Sequence, residues 1–338
     1  MKKIKVLSLF SGCGGFDYGF KKAGFDIVFA NDIEPKLKET YEKNLKHPIV
    51  IQNICEIDKR TLPQAEVILA GIPCQPFSNA GNRRSTEDKD GNLFLQVIET
   101  IKYQKKKPSV VIFENVRGFL SSKDEKGMLL IDRFYLEMSK LGFNTKHQLL
   151  NSADFGLPSN RFRVFIVCIN KNIKNEYYFP VPELFKKYKN TIGDILSKPY
   201  PKGESQEVWN LPPSSMKIVK YIPEGGSWKN IPTKHLPERF IKIRNDMKKY
   251  HSPNFYRRFS RDEVMGTVTA TSSPENSGIL HPLENRRYSV REIARFQTFP
   301  DTFKFYGNDI SYKYKMIGNA VQPAMAELIA KSLLTQIF

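Results

Sequence analysis

The first half of the chain alternates short runs of consecutive apolar residues with longer stretches in which apolar residues recur every three or four positions. The runs at 4–10, 26–30, 67–70, 109–113, 145–150 and 163–169 read as strands, the continuous apolar ones among them as strands buried on both faces. Between them, 16–23, 35–44, 93–103 and 128–141 carry helical spacing. This alternation predicts an α/β fold, a doubly wound, mostly parallel sheet of Rossmann-like type with helices on both faces. From about residue 170 the pattern breaks down. Prolines cluster at Pro180, Pro182, Pro199, Pro201, Pro212, Pro213, Pro223, Pro232 and Pro237, with lysines and aromatics interleaved without a period, which predicts a second, smaller, loop-rich domain. Order returns near Arg286. Ser289 with Glu292 three residues on forms a capping box for a helix over 289–296, and 323–338 is again helical in spacing.

The 338 residues, 40% hydrophobic and 12% aromatic, suffice to bury a full core, which argues against disorder. A net charge of +18, spread along the chain rather than held in one tail, favours a polyanionic partner such as nucleic acid or an acidic membrane surface. A solvated lysine-rich surface is the competing reading. Cys13, Cys55, Cys74 and Cys168 lie far apart with no Cys-x-x-Cys pair, so neither a metal site nor a disulfide framework is expected and a reducing, cytoplasmic setting is. The apolar run at 6–10 falls short of the roughly 7 to 15 residues of a signal-peptide core. No stretch approaches the roughly 18 apolar residues of a membrane span, and no membrane association is expected.

Candidate chemistry gathers at the predicted strand ends. After the first strand, Phe10-Ser11-Gly12-Cys13-Gly14-Gly15 opens a helix with glycines that let backbone approach a ligand. Counting from Gly12, the third glycine of a dinucleotide fingerprint is replaced by Asp17, which disfavours a nicotinamide or flavin and suits a nucleoside cofactor without a pyrophosphate. Asp32, ending the next strand, sits where a carboxylate accepts ribose hydroxyls; a plain turn and a helix cap are the bland readings of these residues. Cys74, set between Pro73 and Pro76 beyond the run 67–70, is either a buried structural cysteine or a thiol held at a ligand-binding edge. Glu114 ends a later strand, and a thiol and a carboxyl in one cleft suit attack on a weakly electrophilic ring, with the acid stabilising charge on nitrogen. Arg161 and Arg163 alternate, which on a strand places both on one face.

In this order, the Phe10 loop, Asn31-Asp32, Pro73-Cys74-Gln75, Gly91-Asn92-Leu93-Phe94, Glu114-Asn115-Val116, Arg161-x-Arg163, Arg291 to Gln297, and Tyr314 to Val321 with Gly318-Asn319 resemble the ordered motifs of the DNA (cytosine-5) methyltransferases, of the bacterial restriction-modification type. The resemblance covers nearly everything except the middle region. It implies residues 1–170 as a catalytic and cofactor-binding domain, 171–285 as a target-recognition domain, and 286–338 as a segment completing the first. By resemblance Cys74 is the nucleophile adding to cytosine C6, Glu114 the acid at N3 and the exocyclic amine, Arg163 the residue at the base O2, and Arg161 a support for the loop or a phosphate. The implied cofactor is S-adenosylmethionine, leaving S-adenosylhomocysteine. Phe10, Gly12, Gly14, Asp32, Ile33, Asn53, Ile54, Pro73, Leu93, Asn319 and Ala320 are its implied contacts. The chain departs from the usual motifs at Ile33, where an aromatic is common, at Asn53, where an acid is usual, and at Ser159 and Gln322.

A cytosine in a duplex shows neither face to a thiol, so this chemistry requires base flipping. Arg83, Arg84 and Ser85, on a loop over 79–90, are expected against DNA, as are Arg257, Arg258 and Arg261 of the middle region. The expected partner is double-stranded DNA, met by a monomer in the bacterial cytoplasm, at the nucleoid. A cognate endonuclease would share the site without stable association. A tRNA methyltransferase, or an inactive scaffold that only binds DNA, are the alternative readings.

Overall fold

The computed structural model describes residues 3–73, 93–124, 127–182, 190–202, 204, 206–246, 255–274 and 277–338. Strands β1 (Lys5–Leu9), β2 (Asp26–Asp32), β3 (Val50–Ile51), β4 (Val67–Ala70), β5 (Val110–Val116), β6 (Phe143–Asn151) and β7 (Phe162–Asn170) form one sheet in the order β3-β2-β1-β4-β5-β7-β6. The first five are parallel, and β7 runs antiparallel between β5 and β6. The α/β sheet is thus the one the apolar runs foretold. Only β3, two residues long, is too short for its pattern to register.

Contacts divide the chain into two units. The first comprises Met1–Asn151, Phe162–Pro182 and Ala320–Phe338, and the second Ser152–Arg161 and Glu183–Asn319. In the first unit every residue of β4 is fully buried, because helices cover both faces of the sheet. On one face Leu7, Ile68, Val111, Phe113 and Ile166 pack with Phe94, Val97 and Ile101 of α3 (Leu93–Tyr103) and Phe134 and Met138 of α4 (Leu130–Lys140). Phe94 stacks on Phe134 with centroids 3.7 Å apart. Elsewhere in the unit, α1 (Gly15–Lys22) packs against α10 (Pro323–Gln336). Gly19 makes their approach possible: a Cβ there would lie 2.5 Å from both the Ala326 Cβ and the Pro323 carbonyl oxygen.

The second unit holds α5 (Ile192–Leu196), α6 (Pro213–Val219), α7 (Glu238–Asn245), α8 (Val290–Phe296) and α9 (Ile310–Asn319), and among its described residues no strand beyond isolated bridges. The Ser289–Glu292 capping box opens α8 as the sequence suggests. Residues 286–319, expected with the first domain, belong to this unit, and only the last helix returns. Contacts to distant parts of the same unit hold them there: Arg287 lies over the Trp209 ring at 4.3 Å, Lys313 pairs with Glu207 at 2.6 Å, and the Tyr314 hydroxyl donates to the Tyr288 carbonyl.

A unit without strand ladders must satisfy its buried carbonyls by other means. Arg258 does much of this, donating to the carbonyls of Val219 (3.0 Å), Glu284 (2.7 Å), Pro282 (3.5 Å) and His281 and to Asn285 Oδ1 (2.8 Å). It is 3% exposed, so the expectation that it reaches DNA is corrected: both terminal nitrogens are committed inside the unit, and Nε is buried without a hydrogen-bond partner among the described residues. Arg257 pairs with Glu263 at 2.6 Å, donates to the carbonyls of Gly225 and Gly226, and lies over the Phe259 ring. Arg261 pairs with Glu224 at 2.9 Å while remaining half exposed. Both are matched by acids of their own unit rather than left unpaired at the surface.

Two substitutions test this packing. Gly19→Val should lower stability by roughly 1–3 kcal/mol through overpacking of α1 against α10, and an unchanged denaturation midpoint would contradict the close approach. Arg258→Ala should cost on the order of 3–5 kcal/mol by stripping donors from buried carbonyls, whereas Arg261→Ala should leave the midpoint where it is; equal midpoints for the two variants would refute the distinction.

Candidate functional site

Because β1, β2, β4 and β5 are parallel, their carboxyl ends share one edge, with Leu9 level with Asn31 and with Ala70, and Ala70 level with Phe113. β7 begins at that edge, Arg163 facing Val116. The strand order reverses at β1, whose neighbours are β2 and β4, and the crevice outside the carboxyl ends at such a point is where open α/β sheets bind ligands.

The loop after β1 is built on left-handed backbone. Phe10, Gly12 and Gly14 have φ of 56°, 56° and 92°. At Gly12 nothing lies within 4 Å of an added Cβ, so its requirement for glycine is conformational and the space above it is open. Gly14 is glycine for both reasons, since a Cβ there would be 2.7 Å from Leu45 Cδ2 and 3.0 Å from the Tyr41 ring. The loop is tied to β2 twice: the Ser11 N–H donates to the Asn31 carbonyl, and the Gly12 N–H to Asp32 Oδ2, both at 2.9 Å. Asp32 Oδ1 accepts from the Glu34 N–H at 3.0 Å. Burial raises the Asp32 carboxyl above its ordinary pKa, against the lowering effect of these N–H donors. Beside it, Ile33 is 64% exposed.

Four further candidate residues follow in the sequence. Asn53 caps a 3-10 turn with its side-chain oxygen accepting from the Cys55 N–H at 3.0 Å. Ile54 packs its side chain into the apolar core, and its carbonyl accepts from the Lys59 ammonium and the Ile57 N–H. Pro73 is exposed after β4, and Leu93 is half-buried at the start of α3.

Glu114 of β5 and Arg163 of β7 form an ion pair, Oε1 to Nε 2.9 Å, with both side chains largely buried. The register explains it: Glu114 faces Phe165 and Val116 faces Arg163, so Glu114 and Arg163 are diagonal neighbours on one face. Arg163 also donates from Nη1 to the Phe162 carbonyl at 2.8 Å. The contact is a charge pair rather than an aligned hydrogen bond, since Glu114 Oε1 is buried without a hydrogen-bond partner among the described residues and so keeps acceptor capacity for a planar ring.

Arg161 does not share this face. β7 starts only at Phe162, and Arg161, 1% exposed in the second unit, donates to the carbonyls of Val268 (2.9 Å) and Gly318 (3.0 Å). Gly318 permits this clamp, because a Cβ there would stand 2.5 Å from the Thr269 and Ala270 backbone. Asn319 is exposed at the end of α9 in the second unit, and Ala320 is buried in the first. Cys74, Arg83, Arg84 and Ser85 lie outside the described residues. Among those described, no three metal-ligating side chains cluster and no helix is long and apolar enough to cross a membrane. Sequence reading missed Asp17 as anything but an absent glycine, and spacing carries no signal for its partners, which come from β1 and α2 (Lys38–Leu45).

Residues 4–335 match the C-5 cytosine-specific DNA methylases. The chain is 35% identical over 340 residues to the Type II methyltransferase M.FnuDI of Fusobacterium nucleatum, covering 98% of this chain and 94% of that protein. It is 33% identical to M.NgoFVII of Neisseria gonorrhoeae, covering 98% and 87%. The fold matches a putative DNA modification methyltransferase encoded within an Escherichia coli prophage, with a TM-score of 0.68 at 22% identity over 98% of this chain and 99% of that one. It also matches the Entamoeba histolytica methyltransferase EhMeth, with a TM-score of 0.69 at 17% identity over 99% of both. With its glycine loop, Asp32 and the Glu114–Arg163 pair at the carboxyl edge of a doubly wound sheet, the chain belongs to the C-5 cytosine-specific DNA methylase family and is a DNA cytosine-5 methyltransferase.

Proposed function

We propose that the carboxyl edge of the first unit binds S-adenosylmethionine at the glycine loop and a flipped cytosine at the Glu114–Arg163 pair, and that Cys74 is the nucleophile. The observation carrying this reading is the 2.9 Å pair on the same sheet edge as the open glycine loop. The residues suit the cofactor: each Asp32 oxygen accepts one backbone N–H and keeps a lone pair for a ribose hydroxyl. Exposed Ile33 offers an apolar surface to adenine, with Phe10 as the stacking ring and Gly12 and Gly14 giving access. Asn53, the Ile54 N–H, Pro73, Leu93 and Ala320 complete the proposed contacts within this unit. When bound, this cofactor supplies an electrophilic methyl group on a sulfonium.

The chain's own part is nucleophilic catalysis. The Cys74 thiolate adds to cytosine C6, and the electron pair released from the C5–C6 double bond makes C5 the nucleophile that takes the methyl. Glu114 hydrogen-bonds N3 and the exocyclic amine, where charge develops, and Arg163 holds the Glu114 carboxyl while reaching the base O2. Loss of the C5 proton then drives elimination of the thiolate from C6 and frees the enzyme. Arg161 is a support within its own unit, through Val268 and Gly318. Arg83, Arg84, Ser85 and, at the surface of the second unit, Arg257 and Arg261 are proposed as phosphate contacts. The Type II naming of the relatives supports a role in a restriction-modification system. The proposed setting is a cytoplasmic monomer at the nucleoid, its cognate endonuclease acting separately.

Cys74→Ser should abolish methyl transfer from labelled cofactor while DNA binding persists, and retained turnover would refute the nucleophile. Arg163→Ala should lower kcat about 10²–10³-fold; an unchanged kcat would remove the pair from the mechanism. Label mapped on duplex DNA and on tRNA in parallel should appear in DNA alone.

A further inference from the structure

Beneath the glycine loop lies a buried carboxylate with no part in the proposed chemistry. Asp17 is fully buried at the third position of α1, where the helix N-terminus favours negative charge. Its Oδ1 accepts from the Ser8 hydroxyl of β1 and its Oδ2 from the Tyr41 hydroxyl of α2, both at 2.6 Å. The Ser8 oxygen in turn accepts from the Ser11 hydroxyl at 2.9 Å, and Ser11 belongs to the loop itself. Tyr41 also forms the wall against which Gly14 packs. One carboxylate thus joins β1, α2, the start of α1 and both ends of the loop.

We propose that ionised Asp17 is a positioning residue for the cofactor: by accepting from Ser8 and Tyr41 together it holds the Ser11–Gly14 backbone in its binding form. This rests on the reading of the glycine loop as the cofactor site. An ionised carboxylate only accepts, so it matches two hydroxyl donors; once protonated it carries a donor of its own, and one of the two bonds must reverse or break. The charged and titratable groups around it are few. Cys13 in the loop is neutral, burial holding its thiol at about 12. Asp32 at the end of β2 repels it slightly, and Tyr41 faces it from α2. On α1 itself the Lys21 ammonium donates to the Leu45 carbonyl. On α10 Glu327 is paired with Lys22 and Lys331.

Burial raises the Asp17 carboxyl to about 6, against the side-chain hydrogen bonds from Ser8, Tyr41 and Ser11 that lower it. A folded-state value above the unfolded one means that ionisation costs folding stability, a cost absent below the ordinary carboxylate range and fully developed above about pH 6.

The test is the dissociation constant of S-adenosylhomocysteine, by calorimetry, from about pH 5 to about pH 8, for the wild type, Asp17→Asn and Tyr41→Phe. Wild-type affinity should weaken as pH falls through about 6. Asp17→Asn should bind about tenfold more weakly at neutral pH, the equivalent of one pKa unit of coupling, and lose that pH step. Tyr41→Phe deletes a bond that favours the ionised form, so it should move the step to higher pH, and it tests the proposal even where Asp17→Asn does not fold. A wild-type step that persists unchanged in both variants belongs to another group, such as Asp32, and overturns the proposal. A wild type that binds no S-adenosylhomocysteine at neutral pH overturns the cofactor site and this inference with it.

Discussion

The antiparallel register of β5 and β7 is the constraint on which the site depends. It sets Arg163 opposite Val116 and Phe165 opposite Glu114, and so puts the guanidinium and the carboxyl side by side on one face. Side chains alternate along a strand, so a slip of one residue would send Arg163 to the opposite face and leave Glu114 a buried carboxylate without its partner. The register is itself enforced by burial. Val164 and Ile166 belong to the core shared with α3 and α4, while Phe165 meets Phe16 of α1 on the opposite face. Packing on both faces thereby fixes the position of a polar pair that could not select it alone.

The glycine-loop edge follows a different logic, in which backbone rather than side chains makes the surface. Left-handed residues turn the chain sharply after β1, and Asp32 accepts from the loop while keeping acceptor capacity for a ligand. The strain at Phe10, a non-glycine residue with φ of 56°, is held by the bonds from Ser11 to Asn31 and from Gly12 to Asp32. The loop and the Glu114–Arg163 pair meet because parallel strands deliver their carboxyl ends to one edge. A methyl donor and a base brought together for transfer need that shared edge, since the reacting atoms must approach within about 3–3.5 Å.

Much of this was legible in the sequence because it is local. Apolar runs marked the strands, the glycine spacing disfavoured a dinucleotide, and a capping box placed α8. What escaped depends on contacts between distant segments. Arg161 sits one residue before its strand and turns to Val268 and Gly318, so alternation with Arg163 misdirected it. Arg258 looked like a free cation in a basic region, but a unit poor in strands needs internal donors, and five acceptors take up its two terminal nitrogens. The helix at 310–319 stays with the second unit through Tyr314 and Lys313, whose partners lie about a hundred residues upstream or more locally at Tyr288. No periodicity reports such pairings.

The proposed chemistry turns on attack at cytosine C6 by the Cys74 thiolate. The most direct measurement uses duplex DNA whose target cytosine carries fluorine at C5, together with S-adenosylmethionine. Without a proton to lose at C5, the elimination that frees the enzyme is blocked, and the protein should remain covalently joined to DNA. Peptide mass spectrometry should then place the linkage on Cys74. Absence of any adduct despite methylation of ordinary DNA, or a linkage through Cys55 or another residue, would contradict it.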